Sequence, residues 1–254
     1  MNREELIIYW KEEESAAVMS GWDFSHIEGR YRSTDDELPW NYGEVVRRHL
    51  RSTDKLLDID TGGGEYLLTL GHPYALTSAT EGYPPNAELC RRELGRLGID
   101  FYEMSDYSAM PFGDVEFDIV INRHGTYDAA EIYRILKSGG YFITQQVGWR
   151  NDRELIQRLL PEAESRYKGH ELASQAELFR ESGFIIEEQG EILSPIEFYD
   201  TGALVWFAGV IPWEFEGFSV DRCESALFEA EGEIQRTGRI SGKIHRFYIA
   251  ARKP

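Results

Sequence analysis

The stretch LLDIDTGGGEYLLTL, Leu56 to Leu70, decides the fold. It opens as a short run suited to a buried strand, breaks at three consecutive glycines, and resumes with apolar residues at helical spacing. A glycine-rich turn between strand and helix lets a ligand approach the backbone and leaves the first helical N–H groups free to meet it. The loop alone does not name a cofactor. A dinucleotide fold asks for a third glycine in G-x-G-x-x-G, and here Gly62 and Gly64 are followed by Leu67, which weakens a nicotinamide dehydrogenase.

Outward from the loop, strands and helices alternate. YALTSAT, IDFYEM, FDIVINR and YFITQQVG read as strands, with helices over 86–95 and 128–136 between them. Such alternation predicts an α/β fold with a mostly parallel sheet and helices on both faces, its ligand at the carboxyl ends of the strands. A helix over 2–19 and an aperiodic aromatic segment, GWDFSHIEGRYRSTDDELPWNY, precede the core. A helix over 173–182, the strand FIIEEQGEI, an apolar helix stopped by Pro212 and the closing strand KIHRFYIAARK follow it. We expect one domain over 1–254: a cap at 1–44, a cofactor-binding core at 45–193, an inserted lid at 194–242 and a final strand at 243–254.

Composition narrows the function classes. With 254 residues, 42% hydrophobic and 13% aromatic, the chain can bury a sizeable core. A net charge of −18 argues against a broad nucleic-acid interface, whose affinity comes from clustered Lys and Arg. The longest apolar run, ALVWFAGVIPW, falls short of the roughly 18–20 residues of a membrane span. MNREELIIYWKEEE is too charged for a secretory signal, so a cytoplasmic protein is expected. Cys90 and Cys223 lie far apart with no His or Cys at metal spacing, which predicts neither a zinc site nor a disulfide.

Two acids then sharpen the loop. Glu81, in TEG at the end of the next strand, stands where a carboxylate accepts hydrogen bonds from both ribose hydroxyls of an adenosine and repels a 2′-phosphate. Asp106 follows the third strand. In order, LLDIDTGGG, TEG, SDYSAMPF, FDIVINR and EIYRILKSGGYF resemble the class I S-adenosylmethionine-dependent methyltransferases of the methyltransferase type 11 kind, over roughly 55–148.

The resemblance implies a Rossmann-like fold, a seven-stranded sheet with an antiparallel last strand, S-adenosyl-L-methionine as cofactor and S-adenosyl-L-homocysteine as product. It assigns Asp58, Gly62 and Gly64, with Thr61 between them, to the methionine part of the cofactor, and Glu81, with Gly82 beside it, to the ribose. Asp106 would accept the adenine amino group, the Tyr107 backbone N–H would reach a ring nitrogen, and Asn122 and Arg123 would line the floor beneath the sulfonium. Asp60 departs from the family's glycine; its carboxylate either faces the cofactor's amino end or caps the following turn. An in-line methyl displacement needs alignment more than a base. If a base acts, His124 is the candidate, with Arg123 beside it. Trp22, His26, Arg30 and Tyr31 are the substrate-side candidates, ahead of Tyr199, Trp206, Trp213 and Phe215. A small-molecule acceptor is expected; ribosomal RNA or another nucleic acid, and a non-catalytic S-adenosylmethionine-binding module, are the alternatives.

Overall fold

The computed structural model describes residues 1–18 and 24–254. In chain order its elements are α1 (Arg3–Ala16), β1 (Tyr31–Ser33), α2 (Tyr42–His49), β2 (Leu56–Ile59), α3 (Glu65–Thr69), β3 (Thr77–Glu81), α4 (Pro84–Leu97), β4 (Asp100–Glu103), β5 (Phe117–Arg123), α5 (Ala129–Ile135), β6 (Leu136–Val147), α6 (Arg153–Leu159), α7 (Leu172–Glu181), β7 (Ile185–Phe198), α8 (Thr201–Val210), α9 (Val220–Thr237) and β8 (Ile240–Arg252). The sheet runs β1-β7-β8-β6-β5-β2-β3-β4. Pairings within β6-β5-β2-β3-β4 are parallel, whereas β8 joins β6 and β1 joins β7 antiparallel. The mostly parallel α/β sheet with an antiparallel last strand is as expected, and β1 is an additional strand.

The chain forms two compact units, one from residues 39–148, 169–192 and 246–254, the other from 1–38, 149–168 and 193–245. In the first, every residue of β2 is buried, because the central strand of a parallel sheet is covered on both faces. One face packs Leu57, Ile59, Val120, Phe142 and Phe179; the other packs Val46, Leu56, Leu94, Ile121 and Ile143. Local chemistry sets the helix limits. α4 begins at Pro84, where a missing N–H costs nothing, and ends at Gly98 in the left-handed region. Asp128 caps α5 by accepting the Glu131 N–H.

In the second unit, α8 is buried along almost its whole length and α1, α8 and α9 share a core around Trp10, Leu204, Phe215 and Leu227. α9 is a second helix within 194–242, where only the apolar helix before Pro212 was expected. Its signal is present: Ser219 caps it, Gly238 ends it, and Val220, Cys223, Leu227, Ala230 and Ile234 repeat at helical spacing. The expected helix over 2–19 is α1, and Trp22 lies outside the described residues. Among the described residues, no helix is long and apolar enough to cross a membrane.

Candidate active site

Parallel register brings four loops to one edge of the first unit. Asp58 lies beside Ala79, Ile59 beside Asn122 and Glu81 beside Glu103, so the segments after β2, β3, β4 and β5 all leave from the carboxyl ends of the sheet. The Thr61 N–H donates to the Thr80 carbonyl at 2.9 Å, and the Thr61 hydroxyl donates to Asp58 Oδ2 at 2.6 Å. Gly62 and Gly64 turn the chain at φ 66° and 84°. At Gly64 the demand is double, since a Cβ would come within 2.8 Å of Leu94.

Glu81 is buried and accepts three backbone N–H groups: Gly62 at 2.8 Å on Oε2, Gly82 at 2.8 Å and Tyr83 at 2.7 Å on Oε1. A carboxylate offers about four acceptor sites, so one remains for a ligand. Burial raises its pKa while these N–H groups oppose the rise. Gly82 has no room for a side chain, because a Cβ would lie 2.6 Å from the Met104 carbonyl oxygen. Asp106 is exposed, and hydrogen bonds from the Ser108 hydroxyl (2.7 Å) and N–H (2.9 Å) hold its carboxyl below the usual range.

Asp60 stands in the left-handed region at φ 56°. Its Oδ1 accepts the Tyr107 hydroxyl at 2.5 Å and its Oδ2 accepts the Thr126 N–H at 2.8 Å. The carboxylate therefore ties the loop after β2 to those after β4 and β5; among the described residues it makes no bond to its own turn. Gly125 is the matching half of this contact, since a Cβ there would come within 2.3 Å of Asp60 Cβ.

Asp58 is buried, and burial, followed by the nearby Asp60 and Glu81 carboxylates, pushes its pKa up to about 7 against the opposing Thr61 hydroxyl and Arg123. Three carboxylates thus converge on one loop region. That charge suits a ligand carrying an ammonium and a sulfonium, so the residues present fit S-adenosylmethionine.

At the end of β5, Asn122 is fully buried and its side chain is committed to the sheet: Nδ2 donates to the Ile59 carbonyl at 2.9 Å, and Oδ1 accepts from Gln146 at 2.6 Å and Thr144 at 3.1 Å. Arg123 is exposed, with its guanidinium 4.5 Å above the Tyr66 ring. His124, at φ 61°, is half-buried; its N–H donates to the Gln145 carbonyl at 2.8 Å and its Nε2 meets the Gln145 side-chain amide at 3.1 Å. Burial first, then the Arg246 and Arg123 guanidiniums, hold its imidazole well below the ordinary histidine range.

The other substrate-side candidates belong to the second unit and are engaged there. His26 pairs with Glu13 at 2.7 Å and stacks on Trp206 with ring centroids 5.1 Å apart. Arg30 meets Asp200 at 2.9 and 2.8 Å, Glu13 at 2.8 Å and the Tyr9 hydroxyl at 2.5 Å. Tyr31 lies opposite Phe198, with the rings stacked at 6.0 Å. Trp206 and Phe215 are core residues, while Tyr199 and Trp213 are exposed. Sequence reasoning missed Trp40, Tyr66 and Gln145; Trp40 stands just before α2 and Tyr66 within α3, positions that carry no local mark of the contacts they make.

A glycine turn after the first parallel strand, an acid closing the second and a further acid after the third stand together at the carboxyl ends of a Rossmann-like sheet. Residues 57–144 match the methyltransferase domain family model, so this stretch carries a methyltransferase domain. Solved structures share the fold. A candidate methyltransferase of Bacillus halodurans matches 84% of this chain and 99% of its own at TM-score 0.58 and 18% identity. The YcgJ protein of Bacillus subtilis matches 84% and 97%, also at 0.58 and 18%. Geranyl diphosphate C-methyltransferase of Streptomyces coelicolor, solved with Mg2+, geranyl diphosphate and S-adenosyl-L-homocysteine, matches 84% and 78% at 0.50 and 16%. No curated protein sequence matches the chain.

Proposed function

We propose that the protein methylates a small-molecule acceptor, with Asp58, Asp60, Thr61, Gly62 and Gly64 around the methionine part of the cofactor. Glu81 and Gly82 take the ribose, Asp106 and the Tyr107 N–H take the adenine, and Asn122 and Arg123 lie on the methyl side. The carrying observation is the convergence of Asp58, Asp60 and Glu81 on one loop region, an acidic cluster that a ligand with two positive centres would compensate. When bound, S-adenosylmethionine supplies an electrophilic methyl group, and the C–S electron pair returns to sulfur as the acceptor's lone pair forms the new bond. The chain's part is to orient: Glu81 has one acceptor site left, Asn122 fixes the strand end, and Asp60 holds three loops in one arrangement.

The net charge of −18 supports a small acceptor over a nucleic acid, and a structurally similar enzyme acts on geranyl diphosphate. We assign acceptor choice to segments 1–44 and 194–242, which lie outside the family match, and place the reaction in the cytoplasm. The test supplies methyl-labelled S-adenosylmethionine to the protein with a cell extract split into small-molecule, RNA and protein fractions. Label is expected in the small-molecule fraction; label confined to RNA or protein overturns the reading, and no S-adenosylmethionine binding by calorimetry overturns the cofactor site.

A further inference from the structure

The side chain of Gln145 sits between two rings, and one of them settles which way its amide points. Trp40 Nε1, an indole N–H that can only donate, lies 2.8 Å from Gln145 Oε1. The amide oxygen must therefore face Trp40. The NH2 group is then left facing His124 Nε2 at 3.1 Å, and an amide NH2 only donates. His124 Nε2 must accept, which requires a bare lone pair on Nε2 and puts the ring's single proton on Nδ1.

The surroundings keep this state. Gln145 is buried, held by its place in β6 and by accepting the His124 N–H on its carbonyl. Trp40 is packed on Tyr248 with ring centroids 4.9 Å apart, which fixes the indole. The charged groups facing the ring among the described residues are Arg123 at the end of β5 and Arg246 on β8; both disfavour a second proton on it, while β6 contributes the neutral Gln145. Among the described residues, only Gln145 hydrogen-bonds the imidazole.

We infer that Trp40 and Gln145 are positioning residues that fix His124 as an Nδ1–H donor, so that whatever substrate atom meets this ring is a hydrogen-bond acceptor. His124 has no lone pair to offer as a general base. The acceptor molecule brings a proton-free oxygen or nitrogen to it, as a carboxylate, carbonyl or phosphate oxygen does. This rests on the methyltransferase reading for its role in the reaction, but the state of the ring is a property of the chain alone.

Nitrogen-15 NMR of histidine-labelled protein tests it, with His124→Asn identifying the signal among the six histidines. The expected wild-type signal is a neutral Nδ1–H tautomer that does not titrate between about pH 6 and 8. In Gln145→Glu one carboxylate oxygen still accepts from Trp40 and the other faces Nε2, so Nε2 gains a proton and the ring titrates at higher pH. In Trp40→Phe the amide is free to turn over, and both tautomers are expected in exchange. Where the methyl acceptor has been found, Gln145→Glu lowers kcat at least tenfold and Trp40→Phe lowers it by about the fraction of ring left in the other tautomer, with S-adenosylmethionine affinity held within about twofold in both. A wild-type Nε2–H tautomer, or a Gln145→Glu spectrum identical to wild type, overturns the inference. Failure of the methyltransferase reading would show separately, as absence of S-adenosylmethionine binding with the tautomer as inferred.

Discussion

Substitution of Asp60 separates charge from tethering. In Asp60→Ala the Tyr107 hydroxyl and the Thr126 N–H both lose their acceptor, and a non-glycine residue without a polar side chain is left at φ 56°. Hydrogen bonds to a charged group contribute about 1.5–3 kcal/mol each, less where water can replace the partner, as at the exposed Thr126. Tyr107 retains the Met104 carbonyl at 3.2 Å as an alternative acceptor, and removing one carboxylate relieves Asp58 and Glu81. Together these give a net loss of about 2–3 kcal/mol, or a Tm lowered by roughly 4–12 °C in a chain of this size. Asp60→Asn should cost under about 1 kcal/mol. Its oxygen can accept from Thr126 while its NH2 donates to the Tyr107 oxygen, whose own proton turns to Met104, and Asn is well tolerated in the left-handed region. Differential scanning calorimetry of both variants reads the difference; equal melting of wild type, Asp60→Ala and Asp60→Asn would refute the tether. The Asn variant then isolates charge. If its affinity for S-adenosylmethionine by titration calorimetry equals that of wild type, the Asp60 charge plays no part in binding.

Three further outcomes follow from the same geometry. Asp58 holds its proton up to about pH 7 in the folded chain and loses it near the ordinary carboxylate value of about 4 when unfolded, so ligand-free stability should fall as pH rises across that window and level off above it. A cationic ligand reverses the balance by favouring the ionised form, so S-adenosylmethionine should bind more tightly as pH rises through 7 and release a proton, measurable as a buffer-dependent binding enthalpy that Asp58→Asn abolishes. Gly125→Ala should destabilise by about 2 kcal/mol or more by crowding Asp60 and the Asn122 side chain, and in a urea-unfolding cycle the same substitution should cost less in an Asp60→Gly background than in wild type. In the second unit, Arg30→Lys should cost about 1–2 kcal/mol, read from the same unfolding curves, because an ammonium cannot reproduce the paired contacts to Asp200 or reach Glu13 and Tyr9 together.

The alternation of strands and helices, the glycine turn and the acids Glu81 and Asp106 were all legible in the chain, because each is a local signal: a period, a backbone requirement or a residue type at a strand end. α4, α5 and α7 fall within two residues of their expected limits for the same reason. The three-residue β1 left no period to read, and it exists through its antiparallel partner Phe198–Ile196. α9 did carry its pattern, hidden by the aromatic residues before it.

The partners of the site's polar groups are another matter. Nothing local to Asp60 says that its carboxylate will meet Tyr107 and Thr126, which lie 47 and 66 residues away in the chain. Nor does anything near His124 name Trp40 as the group that orients Gln145. The sequence by itself determined the fold class, which follows from periodicity, and pointed to the kind of cofactor through the resemblance of its ordered motifs to a methyltransferase family. Only the tertiary structure decided what those residues do, because hydrogen-bond direction and burial depend on groups that parallel strand register brings together from distant parts of the chain.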